Sequence, residues 1–162
     1  MSRWIISCFG VVALLASLVT SPMVLRAWLP SPGVQDLPEV SIHLGGEVVD
    51  ARVADTPDAR AQGFQHASVE TLRSELILFT WPGEDRPSFH MEHVAAPLVI
   101  AWIDDGRVID MAHMQPGQDG YRPPDPVDAA LELAPHKAEE LGIAAGTRVR
   151  MPQVAAHGGA RR

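Results

Sequence analysis

PLVIAWIDDGRVIDM, residues 97–111, is the stretch on which the fold turns. Pro97 to Ile103 and Arg107 to Met111 are both of strand length, and they flank Asp104-Asp105-Gly106. Two strand-like runs around a short loop containing Asp and Gly read as a β-hairpin. Asp104 and Asp105 could pass for a paired-carboxylate site, but Asp is favoured in turns for backbone reasons, and they read as turn residues.

Toward the N-terminus, Leu76-Ile77-Leu78-Phe79 is a continuous apolar run of strand length, followed by Trp81-Pro82-Gly83 as a turn. Asp55-Thr56-Pro57-Asp58 is a helix start: a cap, a proline suited to the first turn and an acid at the positive dipole end. Gly63 is placed to stop that helix, and Ser68 can cap a second short one to Arg73. Val40 to Leu44 and Glu47 to Ala54 flank Gly45-Gly46 as another hairpin. In its second strand Val49, Ala51 and Val53 alternate with Asp50 and Arg52, giving one buried and one wet face.

Toward the C-terminus, Gln115 to Asp128 is a long loop rich in Pro and Gly, and Ala129 to Leu133 is a short strand. Pro135 to Leu141 is a helix closed by Gly142 and Ile143, and Thr147 to Met151 is a last strand. The count is about seven or eight strands and two or three short helices. The expected fold is mostly β (α+β), a small barrel or sandwich-like domain with helical insertions.

The chain has 162 residues, of which 46% are apolar and 20% charged, a globular composition. Fourteen prolines and thirteen glycines agree with many turns. Residues 1–30 contain Arg3 and Arg26 and no acid, so the rest carries 11 basic against 20 acidic side chains, a formal −9. Such a body repels phosphate backbones and excludes nucleic acid as a partner. The single cysteine, Cys8, lies in the leader, so the body has no disulfide, thiolate zinc site or cysteine nucleophile.

That leader, residues 1–29, is uncharged from Trp4 to Leu25. Those residues are enough to cross about 30 Å of hydrocarbon as a helix, with the amine inside and the body outside. Residues 4–25 are therefore expected to engage the membrane as an uncleaved signal-anchor; a cleaved signal peptide and a secreted domain form the alternative. Residues 30–39 read as a proline-rich spacer, and residues 152–162 as a flexible tail.

The order of motifs in between resembles the domain-of-unknown-function family numbered 192 over residues 40–151. The series begins with Val53 to Phe64, then Leu78-Phe79, Phe89-x-Met91 and Ala96-Pro97-Leu98. It continues through Met114-Gln115-Pro116, Tyr121, Ala130-Leu131-Glu132-Leu133 and Leu141-Gly142-Ile143-x-x-Gly146. The resemblance implies a small β-rich domain behind an export signal and no particular activity. Against that family's pattern, His90 replaces a tryptophan, His93 an asparagine, Val99 an aspartate and His66 an arginine-like position.

These substitutions direct attention to the histidines. His90, His93 and His113, with Tyr121 and Trp81 as loop aromatics, are the expected walls of a groove for a small polar ligand or a peptide. No cofactor is indicated. The alternative is a metal site on His90, His93 and His113. Glu92 could supply a carboxylate for zinc, and Met91, Met111 and Met114 could supply thioethers for copper. On a strand His90 and His93 would face opposite ways, so convergence requires a bulge or a turn. A hydrolase with a His base is a third reading, with no nucleophile in view.

Overall fold

A computed structural model describes residues 33–151. The leader, the first residues of the spacer and the tail at 152–162 lie outside the described residues. Seven strands form one sheet: β1 (Glu39–Leu44), β2 (Glu47–Ala54), β3 (Ile77–Asp85), β4 (Leu98–Asp104), β5 (Arg107–Met114), β6 (Val127–Leu133) and β7 (Val149–Arg150). Three short α-helices and a 3-10 turn at Val34–Asp36 accompany them: α1 (Pro57–Gln62), α2 (Val69–Ser74) and α3 (Pro135–Glu140). Among the described residues no helix is long and apolar enough to cross a membrane.

Both hairpins form. In the second, Asp104 ends β4 and Arg107 begins β5, leaving a two-residue loop of Asp105 (φ 44°) and Gly106 (φ 64°). Positive φ at both loop positions is the turn whose twist matches a right-twisted hairpin. Glycine is needed at the second for another reason: a β-carbon there would stand 3.0 Å from the Val149 carbonyl oxygen.

The strand order is β5-β4-β6-β3-β2-β1-β7, and the sheet curls into a half-barrel. At one end its edges meet. Arg107 bridges Arg148, Val108 N donates to Thr147 O at 2.9 Å, and Val149 N donates to Gly106 O at 2.9 Å. These bonds occupy backbone groups that an open edge would leave free. One pairing is parallel, β2 with β3, and the chain makes that crossover through α1 and α2.

Side-chain alternation divides the interior into two clusters. In β4, Val99, Ala101 and Ile103 join Ile42, Leu44, Leu131 and Val149. Leu98, Ile100 and Trp102 point the other way and pack with Phe64, Leu72, Phe79, Met91 and Val94. The central strands are covered on both faces, which is why they read as unbroken apolar runs.

Several segments differ from expectation. Trp81-Pro82-Gly83 is not a turn that ends β3; the strand continues to Asp85 with a register shift between Thr80 and Asp85, where a bulge accommodates proline. Ser88 to Val94, to which the sequence assigned no element, makes a single bridge from Phe89 to Tyr121. β7 shrinks to Val149–Arg150 because Thr147 is engaged in a turn. Its N–H donates to Ala144 O at 2.9 Å, and its hydroxyl accepts from Ala144 N at 3.0 Å. Within the stretch expected as a spacer, Val34 and Leu37 are buried against the first cluster, so residues 33–38 lie on the domain. Arg52 holds this entry in place through ion pairs to Glu39 at 2.9 Å and Glu75 at 3.0 Å.

Candidate functional site

β6 alternates as β4 does. Ala129, Leu131 and Leu133 enter the second cluster, and Ala130 and Glu132 point to the opposite face. Glu132 pairs with Ile77 of β3 and Ile100 of β4 and is only 3% exposed. Among the described residues it is the only buried polar or charged side chain. No hydrogen bond or neighbouring charge among the described residues acts on its carboxyl. Burial alone pushes its pKa up from 4.5 to about 8, because desolvation penalises the carboxylate.

Glu132 opens onto a cavity of about 230 Å³. α1 builds one side. Thr56 caps the helix, its hydroxyl accepting from Ala59 N at 3.2 Å, and Pro57 occupies the first turn. Gly63 then ends it at φ 46°, ψ −133°, with its N–H on Ala59 O at 3.0 Å. That reversal places Phe64 in the core and lays the Gly63 backbone beside the acid.

β3 contributes Phe79 and Trp81, and the loop at 87–94 contributes Phe89, His90 and Val94. Phe89 stands edge-on to Phe79 at 4.8 Å and 83°, to Trp102 at 5.2 Å and 70°, and to Trp81 at 6.5 Å and 79°. Edge-to-face pairs suit the ring quadrupole, and they make the wall a corner of non-parallel rings. The loop is pinned by paired backbone bonds between Phe89 and Tyr121 at 2.9 and 3.2 Å.

The rim is polar. Arg60 Nη1 donates to Asp55 O at 2.6 Å and Thr80 O at 2.9 Å, and its guanidinium carbon lies 5.9 Å from the Trp81 ring centroid. His90 Nδ1 accepts from Glu92 N at 3.3 Å, which leaves Nε2 as the nitrogen free to meet a ligand. A second, wider cleft of about 690 Å³ shares Ser88, Phe89 and His90 with the cavity and runs along Gly117 to Gly120.

Of the residues singled out in the sequence, Trp81 and His90 line the cavity. Tyr121 does not; its hydroxyl accepts from Gln115 N at 3.0 Å and donates to Gln118 Oε1 at 2.8 Å, closing its own loop. His93 turns outward at φ 56° and stacks on His66 (φ 61°), with ring centroids 4.5 Å apart. His66 N donates to His93 O at 2.9 Å, and His93 Nε2 lies 3.4 Å from Glu92 Oε1 on the surface. His113 sits exposed in the sheet opposite Val99.

His90, His93 and His113 are therefore not gathered. Among the described residues no three His, Cys, Asp or Glu side chains form a group that could hold a metal ion. The sulfurs are divided too: Met91 and Met114 are buried in the first cluster, and Met111 packs against the second.

Glu132 escaped attention in the sequence. Its signal was present, a single acid inside the apolar run Ala129 to Leu133. Alternation alone would read such an acid as a wet face. Only covering of both sheet faces makes it a buried one.

Comparison with known proteins agrees with this architecture. The model of the family DUF192, described as an uncharacterized ACR, matches residues 40–151, more than half of the chain. A crystal structure of a protein of unknown function from Novosphingobium aromaticivorans is similar with a TM-score of 0.65 and 26% identity. The match covers 75% of this chain and 91% of that one. A putative transcription regulator from Sinorhizobium meliloti matches with a TM-score of 0.63 and 21% identity, over 71% of this chain and 95% of that one. At that identity the likeness concerns the fold alone. No curated protein matches the sequence.

Proposed function

Because the chain belongs to the DUF192 family, to which no activity is attached, we propose a function from its own cavity: a non-catalytic domain that holds a small ligand against Glu132, outside the cytoplasm on a membrane anchor formed by residues 4–25. One observation carries the binding half. A carboxyl 3% exposed, and without a partner among the described residues, faces a cavity walled by Phe64, Phe79, Trp81 and Phe89. Burying such a group unpaired costs on the order of 1–3 kcal/mol, and a buried acid left without partners marks a place where a ligand supplies them.

The cavity is below the roughly 300–1,000 Å³ of drug-sized sites, so it suits a small molecule or a single side chain. The adjoining cleft past Ser88 gives room for the remainder of a longer ligand. His90 has its Nδ1 on a backbone N–H, and no described hydroxyl is hydrogen-bonded to its ring. The uncharged stretch from Trp4 to Leu25 supports the anchor, and the −9 charge of the remainder suits a domain held in water beyond it.

The binding reading is tested by thermal shift of the full-length chain in detergent against a library of small fragments, with Ser88→Trp as a variant that blocks the mouth. Fragments that raise the wild-type midpoint and leave Ser88→Trp unmoved support it, since only ligands of the native state stabilise. A library without hits, or hits equal in both proteins, refutes it. Placement is tested separately by alkaline carbonate extraction and by protease access in intact cells; a soluble, protected chain refutes the anchor.

A further inference from the structure

We propose that this cavity selects a small organic cation, an alkylammonium head held between the Glu132 carboxylate and the rings of Phe79, Trp81 and Phe89. The inference rests on the binding reading above and names the ligand's chemistry. Its ground is the composition of the lining. Phe64, Phe79, Trp81 and Phe89 surround a space whose only acid is Glu132. Aromatic rings attract cations through the negative face of the quadrupole, most strongly where water is excluded, and the attraction is worth about 0.5–2 kcal/mol.

The other ionisable groups of the lining are Arg60, from α1, and His90, from the loop at 87–94. Neither pairs with the acid: no neighbouring charge acts on Glu132. Arg60 is occupied at the rim by the carbonyls of Asp55 and Thr80 and lies near Trp81, so the protein already places a cation beside that ring. Among the described residues no positive charge stands against Glu132. An anion would face the negative faces of the rings and form no ion pair with Glu132, and a neutral molecule would forgo both the ion pair and the cation–π attraction. The −9 charge of the chain beyond the leader also raises the local concentration of cations.

Binding of an ammonium ion to a protonated buried acid has a stoichiometric consequence. The acid gives up its proton to solvent and becomes the carboxylate of the new ion pair, so each cation bound near neutral pH releases up to one proton. A neutral ligand that accepts a hydrogen bond from the same acid releases none.

The test is calorimetry on the full-length chain in detergent with choline and n-butylammonium as probes and 3,3-dimethyl-1-butanol as the uncharged isostere of choline. We expect at least one cation to bind about tenfold or more tightly than the isostere. Its heat at pH 7 should vary between buffers of different ionisation enthalpy, which reads proton release. Glu132→Gln should abolish that dependence and weaken the cation about tenfold. Phe89→Leu, which keeps an apolar side chain and removes the ring, should weaken it with proton release intact. Equal affinity for cation and isostere overturns the inference and leaves the binding reading standing. So does failure of both cations in a protein whose cavity still takes fragments. Undiminished cation binding in Ser88→Trp also overturns it, because the site then lies elsewhere.

Discussion

The backbone of Gly63 lies against the carboxyl of Glu132: a β-carbon on Gly63 would stand 3.6 Å from Oε2 and 3.5 Å from Cζ of Phe79. The stop of α1 and the acid of β6, far apart in sequence, therefore form one wall of the cavity. Both distances are ordinary contacts, so space does not dictate glycine there; the backbone conformation does.

Gly63→Ala separates those two effects. At φ 46° and ψ −133° any side chain is strained, at a cost of about 1–3 kcal/mol. Urea denaturation should show that loss of stability, with ligand binding in the surviving folded protein close to wild type. A loss of binding at full stability would mean that the β-carbon acts on the cavity.

Glu132 should make stability depend on pH with a definite sign. Its pKa is about 8 when folded against an ordinary value of 4.5, so the folded chain binds the extra proton. The stabilisation is fully present below about pH 4.5 and is lost as pH rises to about 8, at up to about 1.4 kcal/mol per pH unit. Asp128 is also raised, first by burial and then by Asp104, so wild type alone does not isolate Glu132. The difference between wild type and Glu132→Gln does. Denaturation midpoints at pH 5, 6, 7 and 8 should fall for wild type more steeply than for the variant; parallel curves would contradict the assignment.

His90 and His113 should behave differently. His90 lines the cavity and His113 pairs with Val99 in the sheet. His90→Ala should weaken ligands of the cavity several-fold, and His113→Ala should leave them unchanged. Affinities of both variants for any fragment that binds wild type check this. Equal losses would point to a site joining the two histidines.

His93 holds a left-handed backbone while stacked on His66. A β-branched residue suits that conformation worst, so His93→Val should be less stable than His93→Gly by about 1–2 kcal/mol. Equal stabilities in paired urea melts would show that the φ of 56° is not maintained in solution.

Much of the fold was legible because it is local. The hairpin at Asp105-Gly106 and the cap at Thr56 are each specified by residues a few positions apart. So is the end of α3, where Ile143 N reaches Ala138 O at 3.0 Å. The bulge at Trp81-Pro82-Gly83 was misread as a turn because Pro and Gly punctuate both. Of the candidate site, Trp81 was found as a loop aromatic and His90 as a departure from the family's pattern. Tyr121 was a loop aromatic of the same kind, and only its hydrogen bonds to Gln115 and Gln118 show that it closes a loop.

The sequence by itself determined the order of elements, the paired hairpins, the acidic thiol-free body and the family. Tertiary structure alone decided which residues share a place. It set β2 parallel to β3 and closed the half-barrel at Arg107 and Arg148. It kept His93 and His113 away from the cavity and converted Glu132 from an acid in a strand to a buried carboxyl facing the cavity. The reason is physical: a turn or a cap is a property of neighbouring backbone groups, whereas desolvation sums over atoms from β3, β4, β6, α1 and the loop at 87–94. That sum exists only after they have packed.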